Sequence, residues 1–129
     1  MSVTVLIISH QGVGNALVKT LKTTFEGELP LSVHVVSIKP EADPEEILPL
    51  VKQKVEKYDE GDGVLILTDL FGSTPFNIAK DSLCDQKACI VTGMNMPMLL
   101  RVMNYPDLSL KKLAQKARQG GREGIVSSN

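Results

Sequence analysis

His10 is the side chain best suited to chemistry in this sequence. Near neutral pH an imidazole keeps one ring nitrogen free to act as a nucleophile, and His10 directly follows an apolar run, Val3 to Ser9. A second polar group, Thr68-Asp69-Leu70-Phe71-Gly72-Ser73-Thr74-Pro75, follows another apolar run that ends at Leu67. Asp69 can accept a hydrogen bond from one ring nitrogen of His10, which would fix the tautomer and support positive charge on the ring during attack. Thr74-Pro75 reads as a helix start, with a hydroxyl cap and then a ring-fixed first residue. The Thr74 hydroxyl and the N–H groups around Gly72, Ser73 and Thr74 could then hold phosphoryl oxygens. A histidine facing an aspartate beside an anion site points to phosphoryl transfer rather than hydrolysis, because no paired acids or metal ligands accompany it. No metal and no cofactor is expected, since the phosphate would arrive already activated on a donor protein.

Bland readings stand beside these. A lone histidine after a strand is often a hydrogen-bonded structural residue, and Asp69 could simply cap the turn that follows it. On pattern alone the two readings are level. His34 lies inside a strand rather than at its end, so it reads as structural. Cys84 and Cys89 have no His or Cys partner at zinc spacing and read as small hydrophobes, and the methionines between 94 and 103 read as core, with partner contact by Met94 or Met96 the lesser alternative.

The elements that must position His10 and Asp69 alternate in type. Val3–Ser9, Leu31–Ile38, Gly63–Thr68 and Ala88–Thr92 are rich in Val, Ile and Leu without strict alternation, as in strands covered on both faces. Leu17, Val18, Leu21 and Phe25 recur at helical spacing and predict a first helix ending near Gly27. Asp43-Pro44-Glu45-Glu46 offers a cap, a first-turn proline and an acid at the capping-box position for a second helix to about Tyr58. Pro49 conflicts with that helix, which must either kink there or begin later. A third helix opens at Thr74, and a fourth runs from Pro97 to about Asn104. A fifth is capped by Ser109, carries Leu110, Leu113, Ala114 and Ala117 as its stripe, and ends at Gly120-Gly121. The expectation is an α/β fold, a doubly wound and mostly parallel four-stranded sheet with helices on both faces. Its ligand site would lie beyond the carboxyl ends of the strands, where His10, Asp69–Thr74 and Gly93–Asn95 fall.

Composition narrows the function classes. With 129 residues and 43% hydrophobic content the chain suits a single domain, residues 1–129, and no repeat or linker divides it. A formal net charge of -1, with three Phe, two Tyr and no Trp, argues against nucleic acid as a partner. The apolar N-terminal segment is too short to span a bilayer and lacks a basic leader, so no direct membrane insertion is expected and the cytoplasm is the expected compartment.

Val5-Leu6-Ile7-Ile8-Ser9-His10, Asp69-Leu70-Phe71-Gly72-Ser73-Thr74-Pro75-Phe76-Asn77, Gly93-Met94-Asn95-Met96-Pro97-Met98-Leu99 and Gly121-Arg122-Glu123-Gly124, in that order, resemble the IIA component of the mannose family of the bacterial sugar phosphotransferase system. The resemblance implies a histidine phosphocarrier, a phosphotransferase in which His10 accepts a phosphoryl group from the carrier HPr and passes it to a IIB component. Asp69 would be the partner of His10, and Thr74 with neighbouring amides the phosphate ligands. It also implies a homodimer formed by exchange of a C-terminal edge strand, which would give the Gly124–Ser127 tail a purpose. Gln11 stands where the family commonly has Gly, with Gly12 next, so the loop after His10 is expected to differ in shape. Two alternatives are the phosphotransfer subunit of a dihydroxyacetone kinase and a regulatory or ligand-binding module of flavodoxin-like shape. The Phe71–Phe76 block speaks against the first. A receiver-type module needs acidic metal ligands after its first strand, where this chain has Ser9-His10.

Overall fold

The structure is a computed structural model that describes residues 2–83 and 87–129. Its elements run β1 (Thr4–His10), α1 (Val13–Thr24), β2 (Val33–Ile38), α2 (Pro44–Tyr58), β3 (Val64–Thr68), α3 (Thr74–Asp81), β4 (Ala88–Val91), α4 (Met96–Met103) and α5 (Leu110–Glu123). The four strands form one parallel sheet in the order β2-β1-β3-β4. The predicted doubly wound architecture is therefore the observed one. From β1 the chain moves outward to β2, then crosses back to β3 on the other side, so the order reverses between β1 and β3.

Alternation along the strands sorts the side chains into two layers. Val5, Ile7, Leu65 and Leu67 pack with Val18 and Leu21 of α1, Leu99 and Val102 of α4, and Leu113 and Ala117 of α5. Leu6, Ile8, Val64 and Ile66 face the other way, onto Val51 and Val55 of α2 and Ile78 and Ala79 of α3. Both faces of β1 and β3 are buried, which is why those strands are continuous apolar runs.

Several boundaries differ from expectation. His10 is the last residue of β1 rather than a loop residue after it, and its Cα pairs in register with that of Ile38. Ser73 occupies the N-cap position of α3 without a side-chain cap bond, and Thr74 is the first helical residue, so Thr74 is not the cap. Pro49 sits within α2, which starts at Pro44 under an Asp43 side chain that accepts from the Glu45 N–H at 3.0 Å. Pro49 lies on the exposed side, so the Glu45 carbonyl that loses its helical donor there can turn to water.

Gly120-Gly121 does not end α5, which continues to Glu123. These glycines let α5 pack closely against α4. A Cβ on Gly120 would stand 2.5 Å from the Arg101 Cβ, and one on Gly121 would stand 2.9 Å from the Met98 Cε. Asn95 ties the same junction together, accepting from the Met98 N–H at 2.9 Å and donating to the Gly121 carbonyl at 3.1 Å. Met94, Met98 and Met103 are core residues, and Met96 is half-buried against them. Met94 therefore offers no docking surface. Cys89 is half-buried and free, while Cys84 lies outside the described residues.

His34, read as structural, stacks on Tyr58 with ring centroids 3.7 Å apart and planes 3° from parallel. Partial burial lowers its pKa below the ordinary histidine value; Glu60 opposes that shift, and Lys54 and Lys57 add to it.

Candidate functional site

The reversal of strand order places the ends of β1 and β3 side by side, with Ile8 opposite Thr68. His10 and Asp69 leave the sheet there, 59 residues apart in sequence. The Asp69 Oδ2 accepts twice from His10, from its backbone N–H at 3.1 Å and from its ring Nδ1 at 2.8 Å. Facing an ionised carboxylate, which only accepts, a neutral His10 ring carries its proton on Nδ1 and keeps the lone pair on Nε2. The His10 side chain is 48% exposed and that of Asp69 13%. The imidazole is thus about half exposed while the carboxylate beside it is mostly shielded. The other Asp69 oxygen, Oδ1, is buried without a hydrogen-bond partner, as is the Thr68 hydroxyl. A carboxylate so short of donors depends heavily on its two bonds from His10.

The loop Leu70–Ser73 turns the chain into α3. Gly72 has φ +81°, a left-handed conformation that a side chain would strain. Ser73 donates its hydroxyl to the Leu70 carbonyl at 2.7 Å, so that group is committed to the loop itself. No side chain caps α3, and Pro75 in its first turn has no N–H. Its first-turn amides and the exposed Thr74 hydroxyl are thus left uncapped at the positive end of the helix dipole. Of the three residues proposed to bind phosphate, Gly72 shapes the turn, Ser73 is occupied, and Thr74 presents a free-facing hydroxyl. Gly93, at φ +75°, ends the neighbouring strand, and the Met94 N–H donates to the Thr68 carbonyl at 3.0 Å, which ties this third strand end to the site.

One feature of the site escaped the sequence reading. Leu70 and Phe71 are exposed apolar residues in the loop after Asp69, Phe71 at 74%, and Val13 at the start of α1 is also exposed. Phe71 leans on Phe76 with centroids 4.8 Å apart and planes at 49°. An aromatic in a polar, glycine-containing loop was the available signal, because nothing in the loop's pattern would bury it. A cavity of about 470 Å³ exists elsewhere, between β4 and α5, bordered by Cys89, Val91, Ala114 and Arg118. His10 does not line it.

Residues 4–117 match the family model described as the PTS system fructose IIA component, PTS being the phosphotransferase system. The chain is 29% identical over 128 residues to the mannose-specific EIIAB component of Escherichia coli K12, covering 97% of this chain and 39% of that protein. It thus spans about two fifths of that relative's length. It is also 27% identical over 111 residues to the sorbose-specific EIIA component of Lacticaseibacillus casei, covering 84% of this chain and 78% of that one. Among solved structures it resembles the mannose/sorbose specific IIA subunit from Enterococcus faecalis, with a TM-score of 0.86 at 21% identity over 100% of this chain and 96% of that one. A likeness at that identity shows the fold. The family match extends over most of the chain and takes in both strand ends that carry the site, and this chain belongs to the mannose family of phosphotransferase-system IIA components.

Proposed function

We propose that residues 1–129 act as one IIA unit in which His10 Nε2 accepts a phosphoryl group from the phosphohistidine of HPr and passes it to a IIB component. The observation that carries this reading is the setting of His10: Nδ1 is held by Asp69 at 2.8 Å, and the side chain as a whole is 48% exposed. Transfer forms one Nε2–P bond as the N–P bond of the donor breaks, and the donor's imidazole leaves with the electron pair of that bond. The His10 ring becomes cationic while keeping its Nδ1 proton, and the Asp69 carboxylate offsets that charge. The dipole and amides of α3, with the Thr74 hydroxyl, face the phosphoryl oxygens. The reverse sequence, with the IIB acceptor as nucleophile, empties the site.

A protein substrate fits this surface better than a small molecule. The reactive edge is open, and Leu70, Phe71 and Val13 form an apolar rim of the kind a docking partner covers. The relatives are named for mannose and sorbose, two different sugars, and any sugar would be met by other components of the system. We place the protein in the cytoplasm, where HPr and a IIB component would meet it. The protein is also proposed to dimerise by exchanging the segment after α5, since Ile125 and Val126 stand exposed and β4 has an open edge.

The test is intact mass after incubation with phosphoenolpyruvate, enzyme I and HPr, each omitted in turn. Wild-type protein should gain one acid-labile phosphoryl group that requires HPr, and His10→Ala should gain none while keeping its fold. Phosphorylation of His10→Ala would refute the assignment.

A further inference from the structure

We propose that Ser9 is a positioning residue for the phosphoryl-accepting histidine, a role that rests on His10 being the acceptor. Ser9 is fully buried at the end of a strand whose preceding residues are apolar apart from Thr4. Its hydroxyl makes two hydrogen bonds. It donates to the His10 carbonyl at 3.0 Å and accepts from the Gly14 N–H at 2.9 Å. Gly14 lies in the first turn of α1, whose cap, Gly12, has no side chain to offer. Ser9 therefore does the work of the missing cap from within the strand, and the same oxygen restrains the peptide that carries the histidine.

The geometry makes this a coupling between the helix and the nucleophile. Strand alternation sends the Ser9 side chain to the α1 face, with Val5 and Ile7, whereas His10 points to the other face. Asp69 holds the His10 N–H and ring, Ser9 holds its carbonyl, and the Gln11 N–H donates to the Ile38 carbonyl at 3.0 Å. The histidine peptide is thereby pinned from three sides. Space around Ser9 is reserved as well: a Cβ on Gly14 would lie 2.9 Å from the Ser9 Oγ and 2.8 Å from the Ile7 Cγ2. Without the Ser9 hydroxyl the His10–Gly12 turn can rotate, and the ring loses its fixed pose against Asp69. A displacement of about 1 Å at a reacting group is enough to lower a rate substantially.

The test compares Ser9→Ala and Ser9→Thr with wild type. Ring nitrogen chemical shifts of His10, read without any phosphate, should show the Nδ1–H tautomer in wild type and Ser9→Thr and a tautomer mixture in Ser9→Ala. With phospho-HPr as donor, kcat of Ser9→Ala should fall by about tenfold while KM stays within about twofold, and phosphoramidate, a small donor that needs no docking, should show a similar loss. An unchanged tautomer and kcat in Ser9→Ala, or a change confined to its melting temperature, would overturn the role. If Ser9→Ala does not fold, hydrogen exchange in wild type decides: the Gly14 amide should exchange more slowly than that of Val13, and fast exchange would count against the hydrogen bond. Should wild type accept no phosphate from HPr, the carrier reading falls, whereas the tautomer comparison still reports on Ser9.

Discussion

His10 is held by one carboxylate oxygen at two atoms, and that economy makes Asp69 the residue whose loss should separate chemistry from folding. In Asp69→Ala the ring is free to place its proton on either nitrogen and the cationic product loses its counter-charge. Phosphoryl transfer should fall on the order of a hundredfold, as when a fixed electrostatic partner is removed elsewhere. One oxygen of the carboxylate is already buried and unpaired, so its removal relieves a desolvation cost and the midpoint of urea unfolding should move little. A rate loss matched by an equal loss of stability would mean that Asp69 is mainly structural. Thr74 acts at a different stage. Its hydroxyl is exposed at the start of α3 and is the group proposed to meet the phosphoryl oxygens, whereas that of Ser73 is committed to the Leu70 carbonyl. Thr74→Ala should destabilise the phosphorylated form by about 1.5–3 kcal/mol, the worth of a hydrogen bond to a charged group, read as a shorter phosphohistidine lifetime. An unchanged lifetime would exclude the contact.

At the scale of elements, the α4–α5 junction shows how packing overrides local preference. Glycine in a helix interior is unfavourable relative to alanine by about 1 kcal/mol, so Gly120→Ala would stabilise an isolated α5. In the folded chain the added methyl meets the Arg101 Cβ at 2.5 Å, and overpacking of this kind costs about 1–3 kcal/mol. Chemical denaturation should therefore find Gly120→Ala less stable than wild type, and a gain in stability would show that the two helices can part. The same approach explains why Gly120-Gly121 was misread. A glycine pair is an ordinary helix stop in sequence, and only the neighbouring helix reveals that it lies inside one. Asn95 reinforces the junction by capping α4 and reaching the Gly121 carbonyl, which links the loop after β4 to the end of the chain.

For the whole molecule, the segment after α5 is the open question of assembly. Residues 125–129 form no helix or strand in the single chain, and two of them are exposed aliphatics beside an unpaired edge strand. Burying them across a second copy would remove apolar surface from water and cover the edge. Light scattering should give a dimer for the intact chain and a monomer when residues 125–129 are removed, with the far-ultraviolet signal preserved. Equal masses for the two would place any dimer contact elsewhere. A net charge of -1 gives no broad field to attract nucleic acid, and Leu70 and Phe71 stand exposed in the loop after Asp69. Among the described residues, no helix is long and apolar enough to cross a membrane.

The amino-acid sequence alone was sufficient for the α/β class, the order of elements and the two buried strands, and it offered the pairing of His10 with Asp69 as one of two level readings. Each of these rests on local patterning or on the rule that ligands gather at strand ends where the order reverses. Most boundaries fell within two residues of those observed, because apolar runs and prolines mark them. What only the tertiary structure decided depends on neighbours distant in sequence. Asp69 takes both donors of His10 on one oxygen because β1 and β3 lie side by side. Gly120-Gly121 lies inside α5, where α4 packs against it and leaves no room for a side chain.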